Sequence, residues 1–241
     1  MSGARVADVT RLIEERLAEV ERRIGEACRR AGRARSEVTL VAVTKTVSID
    51  IARALHDIGV ADLGESRPQE LWRKAADLPP SVRWHMIGHL QRNKVERTLP
   101  VAQLIHSVDS VRLLDEIEQE ARKQNRDVKV LLEINASGEA AKHGFAPESV
   151  SEVLPPLGGL ERVRVAGLMT MAALEADPEQ CRPAFALVRE LRDRLAPQIA
   201  PPHSMQHLSM GMSNDFEVAI EEGATLVRLG TVLFEGAGES A

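Results

Sequence analysis

The chain opens on apolar positions spaced three and four apart: Val6, Val9, Leu12, Ile13, Leu17, Val20, Ile24 and Ala27. That spacing lays one apolar stripe along a helix, so an amphipathic helix is expected over about 5–31, stopping near Gly32. Arg11 with Glu15 and Glu19 with Arg23 pair at helical spacing on the other face, which marks it as solvated. Beyond Gly32 the pattern changes to short apolar runs alternating with amphipathic stretches. The runs near 38–44, 60–63, 83–87, 103–107, 128–134, 162–168, 206–209 and 225–229 read as strands, and the stretches near 49–58, 67–76, 91–97, 110–124, 147–154, 178–195 and 214–221 as helices.

Strands joined by helical crossovers lie parallel, and this many units in 241 residues predict an α/β fold: a single closed (β/α)8 TIM barrel carrying an extra N-terminal helix. An open doubly wound sheet is the alternative topology. No linker or low-complexity run divides the sequence, and Pro155-Pro156 and Pro201-Pro202 read as loop punctuation. One domain over residues 1–241 is therefore expected.

Composition removes several function classes. A hydrophobic content of 44% supports a sizeable core, and a net charge of −5 offers no basic excess for nucleic acid or an anionic membrane. No signal-like segment opens the chain, and no stretch approaches the roughly 20 apolar residues that span a bilayer. Cys28 and Cys181 stand far apart, giving neither a disulfide framework nor a zinc cluster, so a cytoplasmic, reducing location is expected. The histidine pairs His85/His89 and His203/His207 straddle strand ends rather than a helix face, and no metal site is expected from them. Met205, Met210 and Met212 read as core filling and pocket lining.

In a parallel barrel, functional groups collect at the C-terminal ends of the strands. Those ends read Thr44-Lys45, "LGESR", "WHMIGHLQRNK", Ser107, "EIN", "GLMTM", "LSMGMSND" and "VRLGTVLF", so one mouth is polar and glycine-rich all round. After strands seven and eight, Ser209, Gly211, Gly230 and Thr231, with Ser213 as an expected N-cap, supply the hydroxyls and backbone N–H groups of an anion site suited to phosphate. Ser and Gly at such turns are also ordinary loop chemistry. Lys45 then has two readings. At the inner mouth of a barrel its amine would be partly desolvated and available to a carbonyl, making a Schiff base possible; alternatively it is a rim lysine paired with Glu65 or Asp62.

The ordered set "VTLVAVTKTVSID", "LGESRPQEL", "WHMIGHLQRNK", "LLEINASGEAAKHGF", "GLMTMAA" and "LSMGMSNDFEVAIEEGATLVRLGTVLFEG" resembles the motifs of the pyridoxal 5′-phosphate homeostasis proteins, the YggS/PROSC family. The resemblance runs from about residue 6 to the C-terminus. It implies a barrel similar to the N-terminal domain of alanine racemase, of fold type III, with pyridoxal 5′-phosphate (PLP) as cofactor. Lys45 would hold it as an internal aldimine. Ser209, Gly230 and Thr231 would hold the phosphate, with the backbone at Gly211 and Met212. Arg228 would face the pyridine nitrogen, and His85 and Met169 would lie along the walls. Where the family usually reads GEN this chain reads "GES", so Ser66 replaces an asparagine amide with a shorter hydroxyl.

The resemblance implies a carrier that buffers PLP and releases it to apo-enzymes, acting as a monomer, and not an enzyme. A guanidinium beside the ring nitrogen would disfavour its protonation and leave the ring a poor electron sink. The sequence contains no tyrosine, the residue that serves alanine racemase as its second acid/base, and its end soon after strand eight leaves no expected room for that enzyme's second domain. The alternatives are an active racemase or decarboxylase drawing an acid/base from Lys94, His85, His89, His143 or His207, and a Schiff-base aldolase acting on a sugar phosphate.

Overall fold

The computed structural model describes residues 3–136, 143–173 and 177–236, and omits the side chains of residues 3–7, Val6 among them, and of residue 154. Part of the motif "GEAAKHGF" therefore lies outside the described residues. The strands β1 (Thr39–Val43), β2 (Asp62–Glu65), β3 (Arg83–Met86), β4 (Ala102–Val108), β5 (Val128–Ile134), β6 (Val163–Thr170), β7 (His207–Ser209) and β8 (Leu226–Leu229) pair in sequence order, all parallel, and β8 closes on β1. The barrel is the expected one and the open sheet is excluded.

Helices α1 (Gly3–Arg30), α2 (Ile49–Asp57), α3 (Pro68–Asp77), α4 (Val95–Thr98), α5 (Val111–Lys123), α6 (Leu154–Leu157), α7 (Arg182–Leu195), α8 (Phe216–Glu221) and α9 (Thr231–Phe234) surround it. Ser48 and Ser110 accept the N–H groups of Ile51 and Leu113, so each hydroxyl satisfies one orphan donor at the start of α2 and α5. The apolar stripe of α1 buries Ile13, Val20, Ile24 and Ala27 against α2, α8 and α9, closing the outer ring where the last βα unit supplies only the short α9. Arg23 and Arg30 of α1 pair with Glu217 and Glu221 of α8, and Arg33 donates to the carbonyls of Ile220 (3.0 Å) and Ala224 (2.8 Å) at the end of that helix.

Two expectations differ from the structure. The helix predicted over 147–154 is a short 3-10 stretch, Val150–Val153, followed by α6. Pro155 and Pro156 have no N–H to donate and fit only a first helical turn, so the turn starts where they are. Helix α8 starts at Phe216 with Asp215, not Ser213, as its N-cap residue. Among the described residues, no helix is long and apolar enough to cross a membrane.

The barrel divides the core in two. The outer layer, between strands and helices, is one large apolar cluster. The lumen holds a smaller one, Val41, Leu104, Leu131, Ala166, Met169 and Leu226. The rest of the lumen is polar, and that asymmetry leads to the site.

Candidate cofactor site at the mouth of the barrel

A cavity of about 730 Å³ opens at the C-terminal ends of the strands, a size usual for small-molecule sites. Six residues singled out from the sequence line it together: Lys45, Ser66, Met212, Arg228, Gly230 and Thr231. They come from the ends of β1, β2, β7 and β8, segments far apart in sequence that the barrel closure between β8 and β1 brings to one side of the mouth.

Lys45 is exposed at the rim, so the partial desolvation expected for it is not found. The rival pairing is not found either, because both carboxylates are engaged elsewhere. Glu65 is fully buried against Lys74 (2.7 Å) and accepts the Thr44 hydroxyl (2.6 Å); Asp62 binds Arg83 and His85. Lys74 also donates to the Thr44 carbonyl (2.6 Å), tying the residue before Lys45 to α3. The strand end that presents Lys45 is thus anchored by a buried ion pair, while Lys45 itself stays clear of it.

Across the cavity, the backbone N–H groups of Gly230 and Val232 both point at the Ser213 hydroxyl, each at 3.3 Å. Two N–H donors converging on one oxygen make a nest that suits a phosphate oxygen. Ser213 Oγ is therefore the hydroxyl at this turn, and its neighbour Asp215 accepts the Met212 N–H (2.6 Å). At the β2 corner a Cβ on Gly88 would meet the Ser66 carbonyl oxygen at 2.2 Å, so only glycine lets the β3 turn pack against Ser66 beside the cavity.

Three expected site residues stand in the lumen below the cavity, and the backbone of a fourth, Gly211, does not line it. Ser209, expected at the phosphate, is fully buried in the lumen, where it accepts from Arg228 (2.6 Å) and bonds His106 (2.8 Å). His85, expected along a wall, lies in the lumen between His106 (2.8 Å) and Asp62 (3.0 Å). Met169 belongs to the apolar lumen cluster. Gly211, at φ +93°, is pressed against α8, where a Cβ would meet that of Ala219 at 2.6 Å; its carbonyl accepts the Arg228 N–H (3.0 Å). For Ser209, His85 and Met169 the alternation along the strand decides: side chains that point inward below the strand end fill the lumen, and the cavity begins above them.

Arg228 joins the two regions. It is 4% exposed yet lines the cavity, donating to Ser209 and to the Thr170 carbonyl (2.9 Å). Burial draws its pKa down to about 10, against the pull of Asp215 and Glu133, so it remains a cation at neutral pH. Burial, then the neighbouring His85 and Arg228, press His106 well below the ordinary imidazole range. Burial and the Asp109 carboxylate push Glu133 up. Burial also raises Asp62, but Arg83 and His85 outweigh it and hold that carboxyl at about 2. His106 went unnoticed in the sequence, and Asp62 was considered only as a partner for Lys45; the available signal was a histidine at an inward position of β4, two residues after Leu104 in the lumen.

Elsewhere on the rim, His89 donates from Nδ1 to Asp109 (2.9 Å) and stacks on His143 at 4.4 Å between ring centroids. His207 and Lys94 take no part in the cavity lining.

The donor set fits a compact phosphorylated aldehyde: an amine on one side, a nest of N–H groups on the other, and a buried guanidinium below. The family model described as "Alanine racemase, N-terminal domain" matches residues 16–237. The chain is 45% identical over 221 residues to the pyridoxal phosphate homeostasis protein of Aquifex aeolicus, covering 91% of this chain and 96% of that one. It is 38% identical over 223 residues to the protein of the same name from Pseudomonas aeruginosa, covering 92% and 94%. Among solved structures, PipY of Synechococcus elongatus with PLP bound superposes with a TM-score of 0.79 at 34% identity, covering 92% of this chain and 99% of PipY. The chain belongs to the alanine racemase N-terminal domain family and, within it, to the pyridoxal phosphate homeostasis proteins.

Proposed function

We propose that this protein binds pyridoxal 5′-phosphate at the barrel mouth and serves in PLP homeostasis as a non-enzymatic carrier, a single cytoplasmic barrel that releases the cofactor to apo-enzymes and works as a monomer. The observation that carries this reading is the convergence of Lys45, Arg228 and the N–H groups of Gly230 and Val232 on one cavity. The relatives at 45% and 38% identity, named for PLP homeostasis, and the PLP-bound PipY structure support it.

When bound, PLP supplies an aldehyde that condenses with a lysine amine with loss of water. Lys45 provides that amine at the open rim. Thr231, Ser213 and the backbone at Met212, Gly230 and Val232 hold the phosphate. Arg228 faces the ring nitrogen and, as a cation at neutral pH, disfavours a proton on it, which suits holding over turnover. Ser66 takes the asparagine's place at the Gly88 corner. The sequence has no tyrosine to act as the racemase's second base.

Borohydride reduction of PLP-loaded protein, followed by peptide mass mapping, is expected to place the cofactor on Lys45 and to abolish release. Lys45→Ala should lose the visible absorbance of lysine-linked cofactor. Undiminished affinity and an unchanged spectrum in that variant would refute the covalent assignment.

A further inference from the structure

The lumen holds an unbroken run of polar side chains from one end of the barrel to the other. Asp62 opens β2 at the N-terminal end, while Arg228 lines the cavity at the C-terminal end. Between them stand His85 of β3, His106 of β4 and Ser209 of β7. The links are Arg228 Nη1 to Ser209 Oγ (2.6 Å), Ser209 Oγ to His106 Nδ1 (2.8 Å), His106 Nε2 to His85 Nδ1 (2.8 Å) and His85 Nε2 to Asp62 Oδ1 (3.0 Å). The His106–Ser209 link joins strands that are not neighbours in the barrel, so it crosses the lumen itself.

The ends fix the direction of every bond. A guanidinium only donates and a carboxylate only accepts. With both imidazoles neutral, His85 must donate from Nε2 and accept at Nδ1; His106 must then donate from Nε2 and accept at Nδ1; Ser209 must donate to His106 while accepting from Arg228. No other arrangement satisfies all the links. Arg228 needs such support, since it is 4% exposed and both its side-chain acceptors are neutral oxygens. Aligned hydrogen bonds polarise one another, so a carboxylate at the far end stabilises a cation it does not touch.

We propose that Asp62, His85, His106 and Ser209 are positioning residues for the mouth cavity, a one-way hydrogen-bond chain anchored on the Asp62 carboxylate that fixes the Arg228 guanidinium. None of the four lines the cavity; each acts through Arg228. The chain also has one defined failure. An extra proton on either imidazole turns His106 Nδ1 into a donor and leaves Ser209 Oγ accepting from both His106 and Arg228.

The effect on cofactor rests on the PLP reading of the cavity, whereas the bond directions do not, and two measurements keep them apart. In cofactor-free wild-type protein, nitrogen-15 NMR of the imidazoles is expected to show His106 protonated at Nε2 and bare at Nδ1, with His85 protonated at Nε2. A proton on His106 Nδ1 would overturn the direction of the chain. For the positioning role, PLP affinity and the absorbance of the bound cofactor are compared in His106→Leu, His106→Asn and Asp62→Asn. His106→Leu should bind about tenfold more weakly, the scale of one hydrogen bond to a charged group, with a shifted absorbance maximum. His106→Asn, whose side-chain oxygen can accept from Ser209, should recover part of both. Asp62→Asn keeps an acceptor but removes the charge, and should weaken binding several-fold from the opposite end of the barrel; it carries the test if His106→Leu fails to fold. Wild-type affinity and spectrum in Asp62→Asn and in every folded His106 variant would overturn the positioning role. Absence of PLP binding in the wild type would refute the functional reading and the positioning role with it, leaving the tautomers to decide the chain's direction alone.

Discussion

Within four residues, strand β2 carries two buried carboxylates that face opposite ways. Gly64 marks the inward face, since a Cβ there would meet Val41 of the lumen cluster at 3.0 Å, so Asp62 shares the lumen and Glu65 the outer layer. Glu65 meets its partners at once: Lys74, 1% exposed, and the Thr44 hydroxyl. That pair ends where it begins and locks the end of β1 to α3. Asp62 pairs with Arg83 at the N-terminal end of the barrel and also accepts from His85, whose ring starts the run of hydrogen bonds to the far side. The outer polar group holds the shape of the rim, and the inner one reaches the chemistry. Burial alone does not separate the two roles; what separates them is whether the hydrogen bonds close on themselves or run on to the cavity.

The comparison is broken most severely on the outer side. Lys74→Met leaves Glu65 buried without a counter-charge, and one of its oxygens, Oε2, already has no partner. Losing one member of such a pair costs about 3–5 kcal/mol, which urea unfolding would register as a lower midpoint. The double variant Glu65→Gln with Lys74→Met removes both charges and is expected to regain most of that loss. A single variant as stable as wild type would mean that the pair is not sealed, and the closed outer group would lose its distinction from the inner chain.

On the inner side the expected signature is a pH slope. His106 has a folded-state pKa below its unfolded value, so the unfolded chain takes up a proton first as the solution is acidified. Its contribution is intact above about pH 6.5 and is lost as pH falls below that, at up to about 1.4 kcal/mol per pH unit. His203 and His207, also held low by burial, slope the same way, and Glu133, held high, slopes the opposite way at lower pH. Unfolding free energies of wild type and His106→Leu between pH 7.5 and 5 subtract these shared terms, and the remaining difference belongs to His106. Asp62, depressed to about 2, adds to the slope only below about pH 4, where protonation removes a stabilising contribution that is fully present at neutral pH. A difference that stays flat from pH 7.5 to 5 would show that His106 is not held neutral inside the lumen.

The two faces were unequally legible. The outer face is written locally: apolar spacing located all the strands and most of the helices, because each buries a stripe whose period is visible within a few residues. It failed where a short-range rule overrode periodicity, as at Pro155-Pro156, and at α9, a single turn too brief to carry a period. Lys45, Gly230 and Thr231 were legible because strand ends and glycine turns are local signals too, whereas Arg228 came only with the family resemblance. The inner chain was not. His106 and Ser209 are neighbours only because of the shear of a closed barrel, and nothing within a window of β4 or β7 announces it. Ser209 and Ser213 illustrate the limit, since four residues separate a hydroxyl committed to the lumen from one at the anion nest.

Met169 gives the mildest test and the sharpest contrast with the chain it lies beside. It sits in β6 with no exposure, in van der Waals company with Val41, Leu131 and Ala166, and no hydrogen bond links it to Arg228 or Ser209. Met169→Leu keeps volume and polarity, so it should cost less than about 1.5 kcal/mol of stability. The cofactor readout is the informative one. If the apolar half of the lumen only fills space, PLP affinity and absorbance stay at wild-type values in this variant while His106→Leu, in the same lumen, moves both. A Met169→Leu protein that lost affinity to the same extent would mean that any disturbance of lumen packing reaches the cavity, and the direction and charge of the polar chain would then have no special claim on Arg228.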